Sequence, residues 1–300
     1  MSVSFVYAED YYADIGEHVF PIAKFRLLAE RLVAEGLVAR DQFVRPTLCS
    51  RDDLLLAHTP EYVDDLLACR RTERTCWSEL PLSPAIVQAY VLGSGGTMVA
   101  CARALDGGAA INLTGGFHHC FPDHAEGFCY VNDVAIAIRE MQRLGRIQNA
   151  CVVDCDLHQG NGTAVIFQRD PSVFTFSIHQ ERLYPFKQQS DLDIGLDDWT
   201  DDDAYVGRLA DALPGVLDRH GPELVVYLAG ADPFEGDALG SLALTKGGLR
   251  RRDELVLREC HARDIPVAAV LAGGYAFHTD DVVDIHFNTC KILCELWPDP

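Results

Sequence analysis

The stretch ACVVDCDLHQGNG, residues 150–162, places Asp154, Asp156 and His158 at alternate positions behind an apolar stem of Cys151, Val152 and Val153. Alternate side chains of an extended strand point to the same face. Two carboxylates and an imidazole therefore project together where the chain leaves a buried strand. That is the start of a metal site. On this stretch alone the same residues read equally well as a strand running into a turn, with each polar group satisfied locally.

The other elements decide between these readings. Short apolar runs predict strands at residues 2–7, 109–113, 150–154, 173–178, 223–229 and 267–271. Helical spacing predicts helices over 20–36, 50–57, 60–68, 84–105, 127–144, 163–168, 202–219, 245–262 and 279–296. The acidic run 197–203 precedes one of these and complements its N-terminal dipole. Residues 69–83 read as a long surface loop.

Strands alternating with amphipathic helices imply an α/β fold: one open, mostly parallel sheet with helices on both faces. No linker or repeat divides the chain, so residues 1–300 are expected to form one domain. In such sheets ligands bind beyond the carboxyl ends of the strands. There the sequence places His118 and His119, the Asp154/Asp156/His158 set, Asp232 and Tyr275, each just after an expected strand. Polar residues gathered at one sheet edge favour the metal reading.

Asp156, His158 and Asp232 supply three mixed ligands and leave a position open for water and substrate, the catalytic pattern. Zinc is the first choice; Fe²⁺, Mn²⁺ or Co²⁺ also suit such donors. His118 and His119 follow two glycines, and on an extended segment they would face opposite ways. One or both would serve as general acid or base; an isolated pair would more commonly be one packed and one exposed ring. Asp154 would orient His118, and Asn161 would be a neutral partner for His119. Tyr275 would donate to an oxyanion, although alone it reads as a half-buried tyrosine after a turn.

A formal net charge of −20 argues against nucleic acid as the main partner and is compatible with cationic or lysine-bearing substrates. Eleven cysteines, an odd number without a CxxC pair, fit a reducing compartment and buried thiols. No segment is expected to approach a membrane-spanning apolar run, and the N-terminus lacks a leader pattern. A soluble cytoplasmic protein is the expectation.

The segments HTPEYVDDLL, GGFHHCFPDHAEGFCYVNDVAIAI, VVDCDLHQGNG, AGADPFEGDALGSLALT and LAGGYAF, spread over nearly the whole chain, resemble the arginase–deacetylase superfamily. They resemble its zinc-dependent histone-deacetylase-like members in particular. HQGNG and the compact length look most like class IV deacetylases and their bacterial relatives. The resemblance implies removal of an acetyl or longer acyl group from lysine. It implies one zinc held by Asp156, His158 and Asp232, His119 as the likelier base, and Tyr275 polarising the carbonyl. It also implies a structural K⁺ at Asp154, Asp156, His158, Ser177 and Ile178. Gly127, Phe128, Tyr184 and Leu239 would line an acyl-lysine tunnel.

Two departures stand out. The rim loop has Glu73 and Glu79 but no aspartate to grip a peptide backbone. Gln159 and Asn161 stand where class I enzymes carry His and Asp, which leaves His119 without a charged partner and lowers its pKa. A two-metal ureohydrolase would need an aspartate at Gly160. Acetylpolyamine deacetylation, kept open by Glu73 and Glu235, is disfavoured by apolar Leu239. A non-catalytic acyl-lysine binding module would be expected to lack a ligand, the histidine pair or the tyrosine.

Overall fold

A computed structural model describes residues 3–298, so Ser2, the first residue of the first expected strand, lies outside the described residues. The six apolar runs form β1 (Ser4–Val6), β2 (Ala109–Asn112), β3 (Ala150–Asp154), β4 (Val173–Gln180), β6 (Leu224–Leu228) and β7 (Val267–Val270), and a further strand, β5 (Leu192–Leu196), lies between β4 and β6 in the chain. They make one seven-stranded sheet in the order β1-β2-β7-β6-β3-β4-β5. Every neighbouring pair is parallel. All residues of β2, β3, β6 and β7 are buried, as in sheets covered on both faces.

The helices are α1 (Lys24–Ala34), α2 (Arg51–Leu54), α3 (Pro60–Leu67), α4 (Pro84–Gly107), α5 (Asp133–Arg143), α6 (Asn161–Phe167), α7 (Asp202–His220), α8 (Lys246–His261) and α9 (Thr279–Leu296). The acidic run behaves as its charge predicts. Asp201 accepts from Ala204 N at 3.0 Å as the N-cap of α7, and Asp202 and Asp203 fill its first turn.

Three expectations need correction. The helix expected over 127–144 begins only at Asp133. Gly127 and Phe128 take positive φ (51° and 60°), and Asn132 then caps α5 by accepting from Ala135 N at 3.0 Å. β5 was not foreseen, because this edge strand alternates exposed polar or glycine positions with half-buried apolar ones and lacks an apolar run. α4, at 24 residues, is long and apolar enough to cross a membrane, contrary to the expectation for any segment. Within the fold, 72% of its most apolar window is buried, so its hydropathy serves the core.

A parallel sheet sends all its carboxyl ends to one edge. β2, β7, β6 and β3 are contiguous. The histidine pair, Tyr275, Asp232 and the Asp156/His158 pair follow these four strands in turn, so each approaches the same spot from its own strand.

Candidate active site

Asp156, His158 and Asp232 are buried together, and one donor atom from each lies within 4.8 Å of the others. His158 Nδ1 sits 3.2 Å from Asp156 Oδ1 and 3.2 Å from Asp232 Oδ2. Backbone amides hold the carboxylates: Gly273 N donates to Asp156 Oδ2 at 2.7 Å, and Leu157 N to Asp232 Oδ1 at 3.0 Å. Burial, with the negative charge of Asp156 beside it, pushes Asp232 up to about 6. Burial alone would lower His158, but the two carboxylates outweigh it and raise the ring to about 10. Two crowded, desolvated carboxylates and an imidazole form a donor set that a divalent cation fits, because it relieves the repulsion that lifts Asp232.

Gly160 bears on how many ions fit. A Cβ there would lie 2.5 Å from Asp154 Oδ2, so an aspartate ligand at this position would displace Asp154 from His118.

His118 and His119 do not lie on an extended segment. They occupy a turn, and their rings stack at a tilt with centroids 4.1 Å apart. Both therefore face the site, which corrects the expectation of opposite faces. Their partners still differ. His118 Nδ1 meets Asp154 Oδ2 at 2.7 Å, and His119 Nδ1 meets Asn161 Oδ1 at 2.7 Å. Burial lowers His118, yet the charges of Asp154 and Asp156 raise it to about 9. Burial and the neighbouring His118 and His158 hold His119 well below the usual histidine range. The two rings are thus biased oppositely, His118 toward its charged form and His119 toward its neutral one.

A cavity of about 240 Å³ opens above these groups. It is lined by Glu79, His119, Gly127, Phe128, His158, Leu183, Tyr184, Leu239 and Tyr275. All four residues expected at a tunnel wall line it. Burial keeps the Tyr275 hydroxyl protonated by raising its pKa well above the usual value. Glu79 brings the 69–83 loop to the cavity, while Glu73 and Glu235 are exposed elsewhere. That loop is tied down at Asp65, which accepts from Arg70 Nε, Thr72 Oγ1 and Arg74 Nη1 at 2.8, 3.0 and 3.0 Å. Ser177 and Ile178 lie in β4 beside Asp154. Ser177 pairs with Asp154 in the ladder, and its hydroxyl meets His179 Nδ1 at 2.9 Å.

Sequence reasoning missed several supporting groups. Asp133 accepts from Gly116 N and Phe117 N at 3.0 and 2.7 Å and so shapes the histidine turn. Asp237 accepts from Tyr275 N at 2.7 Å and Leu239 N at 2.9 Å, joining two cavity walls. Lys24 of α1 is buried behind the site and donates to Ala272 O at 2.7 Å. Burial lowers it to about 8, against the pull of Asp232, Asp156 and Asp237. Asn161 is itself held by Glu126, so His119 is one residue removed from a carboxylate rather than without one. The second aspartate in ADPFEGD and the Asn-Asp cap before α5 were readable signals; Lys24 and Glu126 had none.

An open parallel α/β sheet carrying a buried Asp–His–Asp cluster and a histidine pair at its carboxyl edge defines a class shared by known proteins. The model of the histone deacetylase domain matches residues 18–290. Histone deacetylase 2 of Arabidopsis thaliana is 32% identical over 86% of this chain and 70% of its own length. An uncharacterized protein of Picosynechococcus sp. is 45% identical over 95% of this chain and 96% of its own. A solved HDAC homolog complexed with SAHA superposes with a TM-score of 0.85 at 25% identity, covering 100% of this chain and 85% of that one. The HDA15 HD domain shares the fold, with a TM-score of 0.83 at 22% identity over 97% and 90% of the two chains. The chain belongs to the histone deacetylase family of the arginase–deacetylase superfamily, a family of deacetylase hydrolases.

Proposed function

We propose that the chain is a zinc-dependent lysine deacetylase of class IV type that hydrolyses short acyl groups from lysine side chains in peptides or proteins. The observation that carries this reading is the Asp156–His158–Asp232 cluster, whose His158 lines a cavity that His119 and Tyr275 also line. At about 240 Å³ the cavity is smaller than the ~300–1,000 Å³ of drug-sized ligand pockets, which favours acetyl over long acyl chains.

Asp156, His158 and Asp232 would hold Zn²⁺, which when bound acts as a Lewis acid toward the amide carbonyl and a water. The rest follows from this chain's own side chains. His119, kept neutral, takes a proton from the attacking water. Tyr275 donates its hydroxyl proton in a hydrogen bond to the oxyanion that develops on the substrate. His118, held cationic by Asp154, balances that charge, and a histidine returns a proton to the leaving amine. Asp154, Asp156, His158, Ser177 and Ile178 offer oxygen donors, from side chain or backbone, suited to a structural K⁺. The cysteines, which form no disulfide among the described residues, suit a reducing cytoplasmic setting.

A second reading, deacetylation of acetylpolyamines, is favoured by the Glu79 carboxylate at the cavity. One panel separates the readings: acetyl- to myristoyl-lysine peptides and a free acetylpolyamine, assayed on protein whose metal content is measured. The expected result is one divalent ion per chain, acetyl-lysine as the best peptide substrate, and loss of turnover on chelation. Preference for the polyamine moves the assignment to the second reading. Binding without turnover by metal-loaded protein overturns both.

A further inference from the structure

Glu126 lies outside the residues so far given a chemical role, yet it is bonded to both sides of the catalytic cavity. Its carboxylate Oε1 accepts from Asn161 Nδ2 at 2.7 Å and from the Tyr184 hydroxyl at 3.0 Å. A tight backbone pair presents it: Cys129 N donates to Glu126 O at 2.9 Å, and Glu126 N to Cys129 O at 3.2 Å. On its outer side His124 Nε2 lies 3.7 Å from Oε2, and Asp123 holds His124 Nδ1 at 2.7 Å. Burial raises the Glu126 pKa, but the nearby His124 ring and the hydrogen bonds from Asn161 and Tyr184 outweigh it, so the group stays ionised.

We propose that Glu126 is a positioning residue: by fixing which end of the Asn161 amide faces His119, it sets the tautomer of the base. An ionised carboxylate can only accept, and a primary amide has one accepting end and one donating end. The donating end of Asn161 must therefore turn to Glu126. Its carbonyl is left facing His119 Nδ1 across 2.7 Å, where it can only accept. His119 then carries its proton on Nδ1, and Nε2 keeps the lone pair that a base needs. Asn161 is fully enclosed, so without Glu126 its amide nitrogen has no acceptor from that side chain. Rotating the amide would then let its NH₂ donate to Nδ1, move the ring proton to Nε2 and abolish the base. A neutral Asn alone cannot make this choice; a carboxylate at its far end does.

The effect on turnover rests on the deacetylase reading, but the effect on the tautomer does not. The test is ¹⁵N NMR of histidine-labelled, zinc-loaded protein, with His119 assigned by its substitution, alongside kinetics. Wild type should show the Nδ1–H tautomer. E126A should shift His119 toward Nε2–H and lower kcat about 10- to 100-fold, the usual scale for losing a group that orients a site residue. E126Q, whose amide oxygen can still accept from Asn161, should restore the tautomer and most of the rate. Tyr184→Phe, which removes only the tunnel-wall bond, should leave the tautomer unchanged. If E126A does not fold, E126M, of similar length and without an acceptor, takes its place. An Nε2–H tautomer in wild type, or an unchanged tautomer in the alanine or methionine variant, overturns the proposal. A wild type that turns over no acylated amine defeats the functional reading while the NMR comparison still decides this one.

Discussion

The floor and the rim of the cavity are built by opposite rules. At the floor, six ionisable side chains (Asp154, Asp156, Asp232, His118, His119 and His158) are all buried, and each meets a hydrogen-bond partner on another element or a few residues along the chain. At the rim, large apolar rings stand in solvent: Phe186 is 87% exposed, Phe277 77% and Trp77 62%. Each lies two residues from a lining residue, Tyr184, Tyr275 or Glu79. Buried charges are tolerated only when paired or metal-bound, so the floor admits few substitutions. The rim makes few internal contacts, so it is free to vary with the partner. The comparison predicts that floor changes reach the chemical step while rim changes reach only binding.

The largest effect falls at the floor. Tyr275→Phe removes one donor and no metal ligand, so kcat should drop about 10²- to 10³-fold, the scale of a lost oxyanion donor, with metal content unchanged. Elemental analysis beside kcat and KM checks this. Wild-type turnover in that variant would remove Tyr275 from the chemistry and blur the line between floor and rim.

The same contrast explains what could be read in the sequence. Asp154, Asp156 and His158 were legible because a two-residue period and an apolar stem place them without knowledge of any other element. Asp232 and Tyr275 were legible because parallel strands bring their ends together. The histidine turn was misjudged because its shape is set by Asp133, some 15 residues away, which accepts from Gly116 N and Phe117 N. Glu126 was invisible because its function exists only once α6 brings Asn161 within 2.7 Å. Residues 127–132 were mistaken for helix because the pattern over 127–144 reads through two positive-φ residues. The exposed rim aromatics follow no period; only Trp77 falls in a stretch, residues 69–83, that reads as a surface loop.

His58 joins the two regions, and its effect should come next in size. Its Nδ1 donates to Phe121 O at 2.9 Å, and its Nε2 accepts from Asn132 N at 2.9 Å. The ring thus clamps the loop that carries His119 and Glu126. Burial lowers it to about 4, against the weaker pull of the Phe121 and Pro122 backbone. The unfolded chain, with an ordinary histidine near 6.5, binds the proton first as pH falls. The stability held by neutral His58 is complete above about 6.5 and drains away toward pH 4. The total is roughly 3 kcal/mol, from about 1.4 kcal/mol for each tenfold loss of proton affinity. Denaturant titrations between pH 7 and pH 4 should show this slope. His58→Gln keeps one donor and one acceptor but cannot titrate, and it should show a shallower slope than wild type. Identical slopes would mean that His58 does not titrate between pH 7 and pH 4.

The smallest effect belongs to the rim. Phe186→Ala and Phe277→Ala remove rings that touch little within the fold, so stability should stay within about 0.5 kcal/mol, as for ordinary surface changes. A ring that packs against a bound peptide contributes on the order of 0.5–1 kcal/mol, which is a two- to fivefold rise in KM. The kcat should hold, because neither side chain lines the cavity or reaches the reacting atoms. A free acylated lysine, having no flanking residues to rest on these rings, should be turned over equally by wild type and variants. A fall in kcat with either substitution would show that the rim shapes the floor after all. The route would be the chain itself, because Phe277 N donates to Gly236 O at 3.2 Å beside the turn that holds Asp237 and, through it, the Tyr275 backbone.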